Sequence, residues 1–354
     1  MKKIAIVVGA RPQFIKLAPL IEVLSGKVRL LVVHTGQHYD FEMSDLFFKQ
    51  LNLPAPDYHL NVGSASQAIQ TGKMMIKLED VLLKESPDMV VVIGDTNSTL
   101  AGSVTAAKNA IALAHIEAGL RSKNRKLPEQ INRVVADRLS DILCCPTQNS
   151  VANLKAENVT GDMFLTGDIL YDLIAQINPS EELTSTILQN NGLDKDNFIL
   201  LTVHRAENVD DQRFLKSLVS GLQDFPVNVF LPLHPRTEKN LKKFGLYDEI
   251  DANPVVRISK PIGIVESLAL TKSSLGVITD SGGLQREAAF FGKKAYILRD
   301  ETEWLELEKC GAVQCIGHDL KNAKFKWDSF SSPGDDYFQK ASTNIAESIL
   351  NYQL

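Results

Sequence analysis

Short apolar runs alternate along the chain with longer stretches in which apolar residues recur at helical spacing. The runs at 4–8, 30–33, 90–93, 112–115 and 142–145 lack the alternation of a half-solvated strand and read as strands buried on both faces. Helical periodicity fills the gaps, as at 98–108 and 129–139. A second series follows at 198–203, 227–233, 255–258, 275–279 and 295–298, again with helices between. Strand–helix–strand alternation predicts parallel sheets, here an α/β chain of two doubly wound domains. The junction falls near Asn178-Pro179-Ser180, after a helical stretch at 171–177. The expected domains are 1–178 and 179–335, with a helix in the tail, 336–354, packing back on the first domain. No internal repeat or low-complexity tract is visible.

Composition agrees with two cores. The chain has 354 residues, 44% of them hydrophobic and 23% charged, enough for two domains of ordinary globular make-up. A net charge of −5 argues against a nucleic-acid or membrane surface. The cysteines, Cys144, Cys145, Cys310 and Cys315, form no CxxC pair, and no Cys/His cluster has metal-ligand spacing, so no metal is expected. Cys144 and Cys145 sit in an apolar run and read as buried, inert thiols. The apolar run after Met1-Lys2-Lys3 is too short for a signal peptide, and no stretch approaches the ~20 apolar residues of a membrane span. These features describe a reduced, cytoplasmic protein.

In open α/β sheets ligands sit at the carboxyl ends of strands, and most of the unusual polar residues fall there. Thr279-Asp280-Ser281-Gly282-Gly283 links a strand to a helix. Its glycines and free N–H groups suit a phosphate, although a tight turn with a serine cap would use the same residues. Gly9-Ala10-Arg11-Pro12 opens a helix that carries Lys16. Arg11 is either an anion ligand or a helix-start salt bridge. No dinucleotide fingerprint occurs, which argues against NAD. Asp95, in Gly94-Asp95-Thr96, is either an acid/base or the cap of the next helix. Glu117 is a poor cap and is followed by a glycine-containing loop, which favours a chemical role. Glu129 and Arg133 lie four apart after Pro128, the spacing of a surface ion pair as well as of a site. His204-Arg205 and His234-Pro235-Arg236 end strands of the second series, and Arg299 ends its last clear strand. Two such loops beside a Ser-Gly-Gly turn fit a pyrophosphate.

Taken in order, these motifs resemble the non-hydrolysing UDP-N-acetylglucosamine 2-epimerases. They are Gly9 to Pro12 with Lys16, Gly94 to Thr96, His115 to Arg121, Pro128-Glu129 with Asn132-Arg133, His204-Arg205 with Glu207-Asn208, and Thr279 to Gly283 with Glu287. The match runs from residue 1 to about residue 318. The resemblance implies two Rossmann-like domains in a glycosyltransferase-B-like pair, with the active site in the inter-domain cleft. It implies UDP held by His204, Ser281, Gly282, Gly283 and Arg11, with the ribose at Glu287. Lys16, Arg133, Arg205, His234 and Arg299 join the substrate-binding set. Asp95, Glu117 and Glu129 fall at the sugar end, and with His204 form the catalytic set. The resemblance implies no cofactor and a homodimer.

Two departures stand out. Many relatives carry two acids after the proline, whereas here Glu129 is followed by Gln130. Some bacterial relatives are activated by substrate at a second site through an Arg-Gln-Thr stretch. The counterpart here is Ser66-Gln67-Ala68, without the Arg. Gly9 to Lys16, His34-Thr35-Gly36-Gln37-His38-Tyr39-Asp40 and Thr302-Glu303-Trp304-Leu305-Glu306-Leu307 are similar to the branch acting on UDP-2,3-diacetamido-2,3-dideoxyglucuronate, the alternative substrate.

Chemistry narrows the mechanism. The proton on carbon 2 of such a sugar has no neighbouring carbonyl to acidify it. Without NAD to oxidise an adjacent carbon, the remaining route eliminates UDP to a glycal and adds it back. That route needs a donor-rich cradle for the leaving group and acid/base residues at the sugar. A glycosyltransferase of the same architecture and a non-catalytic UDP-sugar binder are the competing readings.

Overall fold

The structure is a computed structural model that describes residues 1–37, 53–331, 337 and 340–353, except the side chain of Arg11. His38, Tyr39 and Asp40, and the Arg11 side chain with its two readings, lie outside the described residues. The chain divides into two compact units. Unit 1 is Met1–Leu173 with Gly334–Leu354, and unit 2 is Ile174–Pro333.

Unit 1 runs β1 (Lys3–Val8), α1 (Arg11–Leu24), β2 (Arg29–His34), β3 (Tyr58–His59), α2 (Gln67–Glu85), β4 (Met89–Ile93), α3 (Asn97–Lys108) and β5 (Ala112–Ile116). It continues with α4 (Pro128–Leu139), β6 (Ile142–Cys145), α5 (Gln148–Ala156), β7 (Asp162–Leu165) and α6 (Ile169–Ile177), within which the division between the units falls. Seven strands pair in parallel in the order β3-β2-β1-β4-β5-β6-β7. Side chains of β1 alternate between two helix layers, as the strand period of two requires. Ile4, Ile6 and Val8 pack with Leu17, Leu20 and Leu24 of α1. Ala5 and Val7 pack with Leu78, Val81 and Leu82 of α2. Each fully buried Ile, Leu or Val side chain among them contributes ~1.5–3 kcal/mol.

Unit 2 contains α7 (Glu181–Asn190), β8 (Phe198–Thr202), α8 (Ala206–Val209), α9 (Gln212–Leu222), β9 (Asn228–Pro232), α10 (Pro235–Lys243) and α11 (Tyr247–Asp251). Then come β10 (Val256–Ser259), α12 (Ile264–Ser273), β11 (Gly276–Thr279), α13 (Gly282–Phe290), β12 (Lys294–Ile297), α14 (Leu305–Lys309) and β13 (Val313–Cys315). Its six strands are parallel, in the order β10-β9-β8-β11-β12-β13. In both sheets the order reverses once, between β1 and β4 and between β8 and β11. Loops leaving the strands on either side of a reversal diverge, which opens a crevice at the carboxyl ends. The motifs at Gly9, Gly94, His204 and Asp280 follow those four strands.

The last helix, α15 (Ala341–Asn351), returns to unit 1. Ile345, Ala346 and Ile349 complete the core layer of α1. Its orphan end groups are satisfied by distant residues. The Asp172 carboxylate accepts from the Ala341 and Ser342 N–H groups at 3.1 and 2.6 Å. Lys2 Nζ donates to the carbonyls of Leu350 and Tyr352 at 2.9 and 2.5 Å. The edge strands β3, β7 and β13 were not foreseen, since their short, partly polar segments carry no buried-strand pattern. No helix among the described residues is long and apolar enough to cross a membrane.

Candidate active site

In unit 1 three strand ends converge. Gly94 has φ +69°, and a Cβ there would lie 3.3 Å from Glu117 Oε2 and 3.6 Å from Lys16 Nζ. Lys16 reaches in from the second turn of α1 and donates to the Glu117 carboxylate. Both residues are buried. Glu117 adopts φ +68°, a left-handed conformation that is costly for a residue with a side chain and concentrates at functional sites. His115, two residues earlier, fixes this loop. Its Nδ1 lies 2.7 Å from Asp137 Oδ1 and its Nε2 2.7 Å from the Gly94 carbonyl. Asp137 also accepts from the Gly119 N–H at 3.2 Å and from Arg121 at 2.6 Å. Burial pushes the Asp137 carboxyl up, but His115 and Arg121 more than offset this and hold it below its ordinary value.

The two readings of Asp95 are now separable. Thr96 caps α3, its side chain accepting from the Thr99 N–H. Asp95 therefore stands free of capping and pairs with Arg133 Nη2. Asn132 Nδ2 steadies the same loop, donating to the Asp95 carbonyl at 2.9 Å. Arg133 is buried against Asp95, and the i,i+4 pair with Glu129 does not form among the described contacts. Glu129 lies exposed on the first turn of α4, with no hydrogen bond or ion pair among the described residues. Gln130 instead turns inward, its side-chain oxygen accepting from the Ser122 N–H at 2.8 Å. Gln13 ties the first two loops together. It accepts from the Gly9 N–H at 2.8 Å and donates to the Ile93 carbonyl at 2.9 Å.

His34, at the end of β2, stacks between Phe14 and His59 at 4.9 and 4.2 Å. Burial and the neighbouring His59 push its pKa down to about 4. Cys144 and Cys145 are fully buried, and burial raises the Cys144 thiol to about 12.

In unit 2 the organiser is Asp280, a fully buried residue that the motif reading passed over. Its carboxylate accepts from the N–H groups of His204 and Arg205 at 3.1 and 2.9 Å, and from Asn208 Nδ2 at 3.1 Å. His204 Nδ1 stands 3.1 Å from its other oxygen. Burial raises this carboxyl, and the His204 contacts and backbone donors outweigh burial and hold it low. With Nδ1 engaged, Nε2 of the partly exposed His204 ring is the nitrogen left for a ligand. His234 packs 5.8 Å from that ring, its Nδ1 accepting from the Arg236 N–H. Arg205 Nε donates to the Asp280 carbonyl at 2.9 Å.

Ser281 is the cap of α13, accepting from the Leu284 N–H at 3.3 Å. The capping reading is thus realised, and its hydroxyl hydrogen is still available to donate. Neither Gly282 nor Gly283 has positive φ. A Cβ on either would meet nothing nearer than 3.7 or 3.6 Å. The turn itself does not need glycine, and the open space before these N–H groups suits close approach of an anion. Glu287, one turn on and buried, accepts from Ser267 at 3.2 Å. Arg286 stacks on Trp304 at 4.2 Å. Arg299 is committed to a buried bidentate pair with Glu303, both contacts 3.0 Å.

The structure therefore brings Lys16, Asp95, Glu117 and Arg133 to the strand ends of unit 1, and His204, Arg205, His234, Ser281, Gly282, Gly283 and Glu287 to those of unit 2. Among the described residues Glu129 has no hydrogen-bond or ion-pair partner. Gln13, Asp137 and Asp280 were missed as organisers. The one available signal was an acid immediately after a buried strand, which Asp280 supplies. Among the described residues no group of three His, Cys, Asp or Glu side chains is arranged to hold a metal ion.

Comparison with known proteins agrees with this layout. The family model described as UDP-N-acetylglucosamine 2-epimerase matches residues 24–343. A Methanococcus maripaludis protein named UDP-N-acetylglucosamine 2-epimerase homolog is 44% identical over 99% of both chains. A Pseudomonas aeruginosa UDP-2,3-diacetamido-2,3-dideoxy-D-glucuronate 2-epimerase is 45% identical, over 89% of this chain and 88% of that one. The crystal structure of Methanocaldococcus jannaschii UDP-GlcNAc 2-epimerase in complex with UDP-GlcNAc and UDP superposes with a TM-score of 0.88. It is 38% identical and covers 98% of this chain and 99% of its own. The two parallel α/β units, the strand-end residues and these likenesses lead to one conclusion: the chain belongs to the UDP-N-acetylglucosamine 2-epimerase family, a family of isomerases.

Proposed function

We propose that this protein interconverts UDP-N-acetylglucosamine and its manno epimer, as a cytoplasmic homodimer without a metal or redox cofactor. The observation that carries the reading is the buried Lys16–Glu117 pair, held by a left-handed Glu117 backbone at the ends of β1, β4 and β5. Unit 1 supplies the acid/base residues at the sugar, Glu117 and Asp95, with exposed Glu129 as a third candidate. Unit 2 supplies the UDP cradle: the Nε2 edge of His204, Arg205, His234, the Ser281-Gly282-Gly283 turn, and Glu287 for the ribose. Arg11 adds to it. Arg133 and Arg299 hold the acids Asp95 and Glu303 in place.

In the reaction a base takes the proton from carbon 2 as the carbon 1–oxygen bond breaks. Its electron pair leaves with UDP, and a glycal remains. Reprotonation of carbon 2 from the other face and re-addition of UDP to carbon 1 complete the inversion. Donors at the cradle meet charge that grows on the departing phosphate oxygen, the kind of charge that preorganised N–H groups stabilise best.

Incubation with UDP-N-acetylglucosamine in heavy water, with chelator and without NAD, tests this reading. The expected product carries deuterium at carbon 2, and bridging and non-bridging oxygen labels scramble. Product without deuterium, or turnover only with an added acceptor, overturns it. The 45% identity to the Pseudomonas aeruginosa enzyme favours a second reading, in which the substrate is the diacetamido-uronate. Turnover of that compound alone would select it.

A further inference from the structure

Gln285 on α13 is fully buried, and only half of its amide is used. The side-chain oxygen accepts from the Thr302 hydroxyl at 2.8 Å. Nε2 has no hydrogen-bond partner among the described residues. A buried amide that donates to nothing is costly and calls for a reason. Gln285 lies three positions after Gly282 on one face of the helix, and helical side chains lean toward the amino terminus. Its Nε2 ends 3.7 Å from the place that a Cβ on Gly282 would take, and Nε1 of Trp304 ends 4.0 Å from the same place. Two side-chain N–H donors from separate stretches of chain thus flank one spot at the first turn of α13. The unsatisfied backbone N–H groups and the positive end of the helix dipole face that spot as well.

Both donors are held in place. The Thr302 oxygen that donates to Gln285 also accepts from the Trp304 backbone N–H at 3.1 Å. The Arg286 guanidinium lies 4.2 Å over the indole ring, and its Nε donates to the Gly282 carbonyl at 3.0 Å. Donors fixed before a ligand arrives lose little freedom on binding it. The next glycine has different surroundings. A Cβ on Gly283 would meet Ser281 Oγ at 3.6 Å and Glu287 Oε1 at 3.9 Å. A carboxylate repels an anion and accepts from a hydroxyl, so the two glycines face different parts of one ligand. We propose that Gln285 and Trp304 are substrate ligands, their side-chain N–H groups donating to a phosphate oxygen of the UDP moiety seated over Gly282. The inference rests on the reading of unit 2 as the UDP cradle and adds two residues to it. The ribose hydroxyls then fall on the Gly283 side, at Glu287, which sets the direction in which the nucleotide runs along the turn.

Binding of UDP to the full chain by calorimetry, and of uridine by nuclear magnetic resonance, tests the proposal. Trp304→Phe keeps an aromatic ring under Arg286 and removes only the N–H. It should weaken UDP roughly tenfold or more, the scale of a hydrogen bond to a charged acceptor. Uridine, which has no phosphate, should bind this variant as it binds the wild type. Gln285→Glu keeps the acceptor for Thr302 and turns the donor into a second acceptor, and it should weaken UDP further than Trp304→Phe does. Unchanged thermal melting of Trp304→Phe would show that unit 2 remains folded. A second measurement leaves both residues intact. Trp304 and Trp327 are the two tryptophans of the chain, so the emission of Trp327→Phe reports Trp304 alone, and UDP should change it more than uridine does. A wild type that binds UDP together with a Trp304→Phe that binds it equally tightly, or that loses UDP and uridine alike, overturns the inference and leaves the UDP cradle standing. A wild type that binds no UDP overturns both.

Discussion

Lys16 donates to the carboxylate of Glu117 inside unit 1, with the two side chains only 8% and 7% exposed. Removing one member leaves the other charge buried and alone, which is costlier than losing both. Glu117→Gln and Lys16→Met are each expected to cut turnover by ~10²-fold or more, the scale of lost acid/base function. Equilibrium binding of UDP, assigned to unit 2, should stay within a few-fold of wild type for Glu117→Gln. A parallel loss of UDP affinity would refute that division of labour.

Asp280 offers the complementary test. Asp280→Ala strips the acceptor from the His204 and Arg205 N–H groups, and leaving a buried donor unmet costs ~1–3 kcal/mol. UDP affinity measured by calorimetry should fall at least tenfold, together with thermal stability. Asp280→Asn keeps an acceptor oxygen and should recover part of both.

A pH effect follows from His34. Its folded value, about 4, lies below the ordinary 6.5, so the unfolded chain takes up the proton first as pH falls. The associated stability is complete above pH 6.5 and is lost between there and about pH 4. Linkage puts the loss at up to about 3 kcal/mol. Urea unfolding at a series of pH values should show this slope. His34→Asn, which cannot titrate but can still accept from the Gly36 N–H as His34 does, should flatten it. An unchanged slope would place the effect elsewhere.

Kinetics should be hyperbolic. At the start of α2, where regulated relatives carry Arg, this chain has Ser66, and the neighbouring Gln67 oxygen already accepts from Asn97 at 2.7 Å. The manno epimer alone should therefore be turned over. A strict requirement for added gluco substrate would reveal a second site.

Much of this was legible in the chain, and the failures have identifiable causes. Strands buried on both faces announce themselves as unbroken apolar runs, and their ends located Asp95, Glu117, His204 and Ser281. The Asp95 ambiguity arose because Asp and Thr are both good caps. Only the backbone shows that Thr96 takes the task. Asp280 was overlooked for a different reason. Its partners, His204 and Arg205, are some seventy-five positions away and come beside it only because β8 and β11 pair in parallel. Asp137 is hidden in the same way, on a helix that local periodicity treats as ordinary. Glu129 shows the converse, since a motif match fixes a residue's place in the chain but not its partner.

The path of α15 has a consequence for how the protein is made. Unit 2 is one unbroken segment, Ile174–Pro333, whereas unit 1 is completed by the final residues of the chain. As synthesis proceeds, everything unit 2 needs has emerged from the ribosome before Ile345, Ala346 and Ile349 exist. Until then the core layer of Leu17, Leu20 and Leu24 lacks that part of its packing, and Lys2 and Asp172 lack the helix ends they secure. Domains commonly finish in order from the amino terminus. Here the last layer of unit 1 can be added only after every residue of unit 2 has been synthesised.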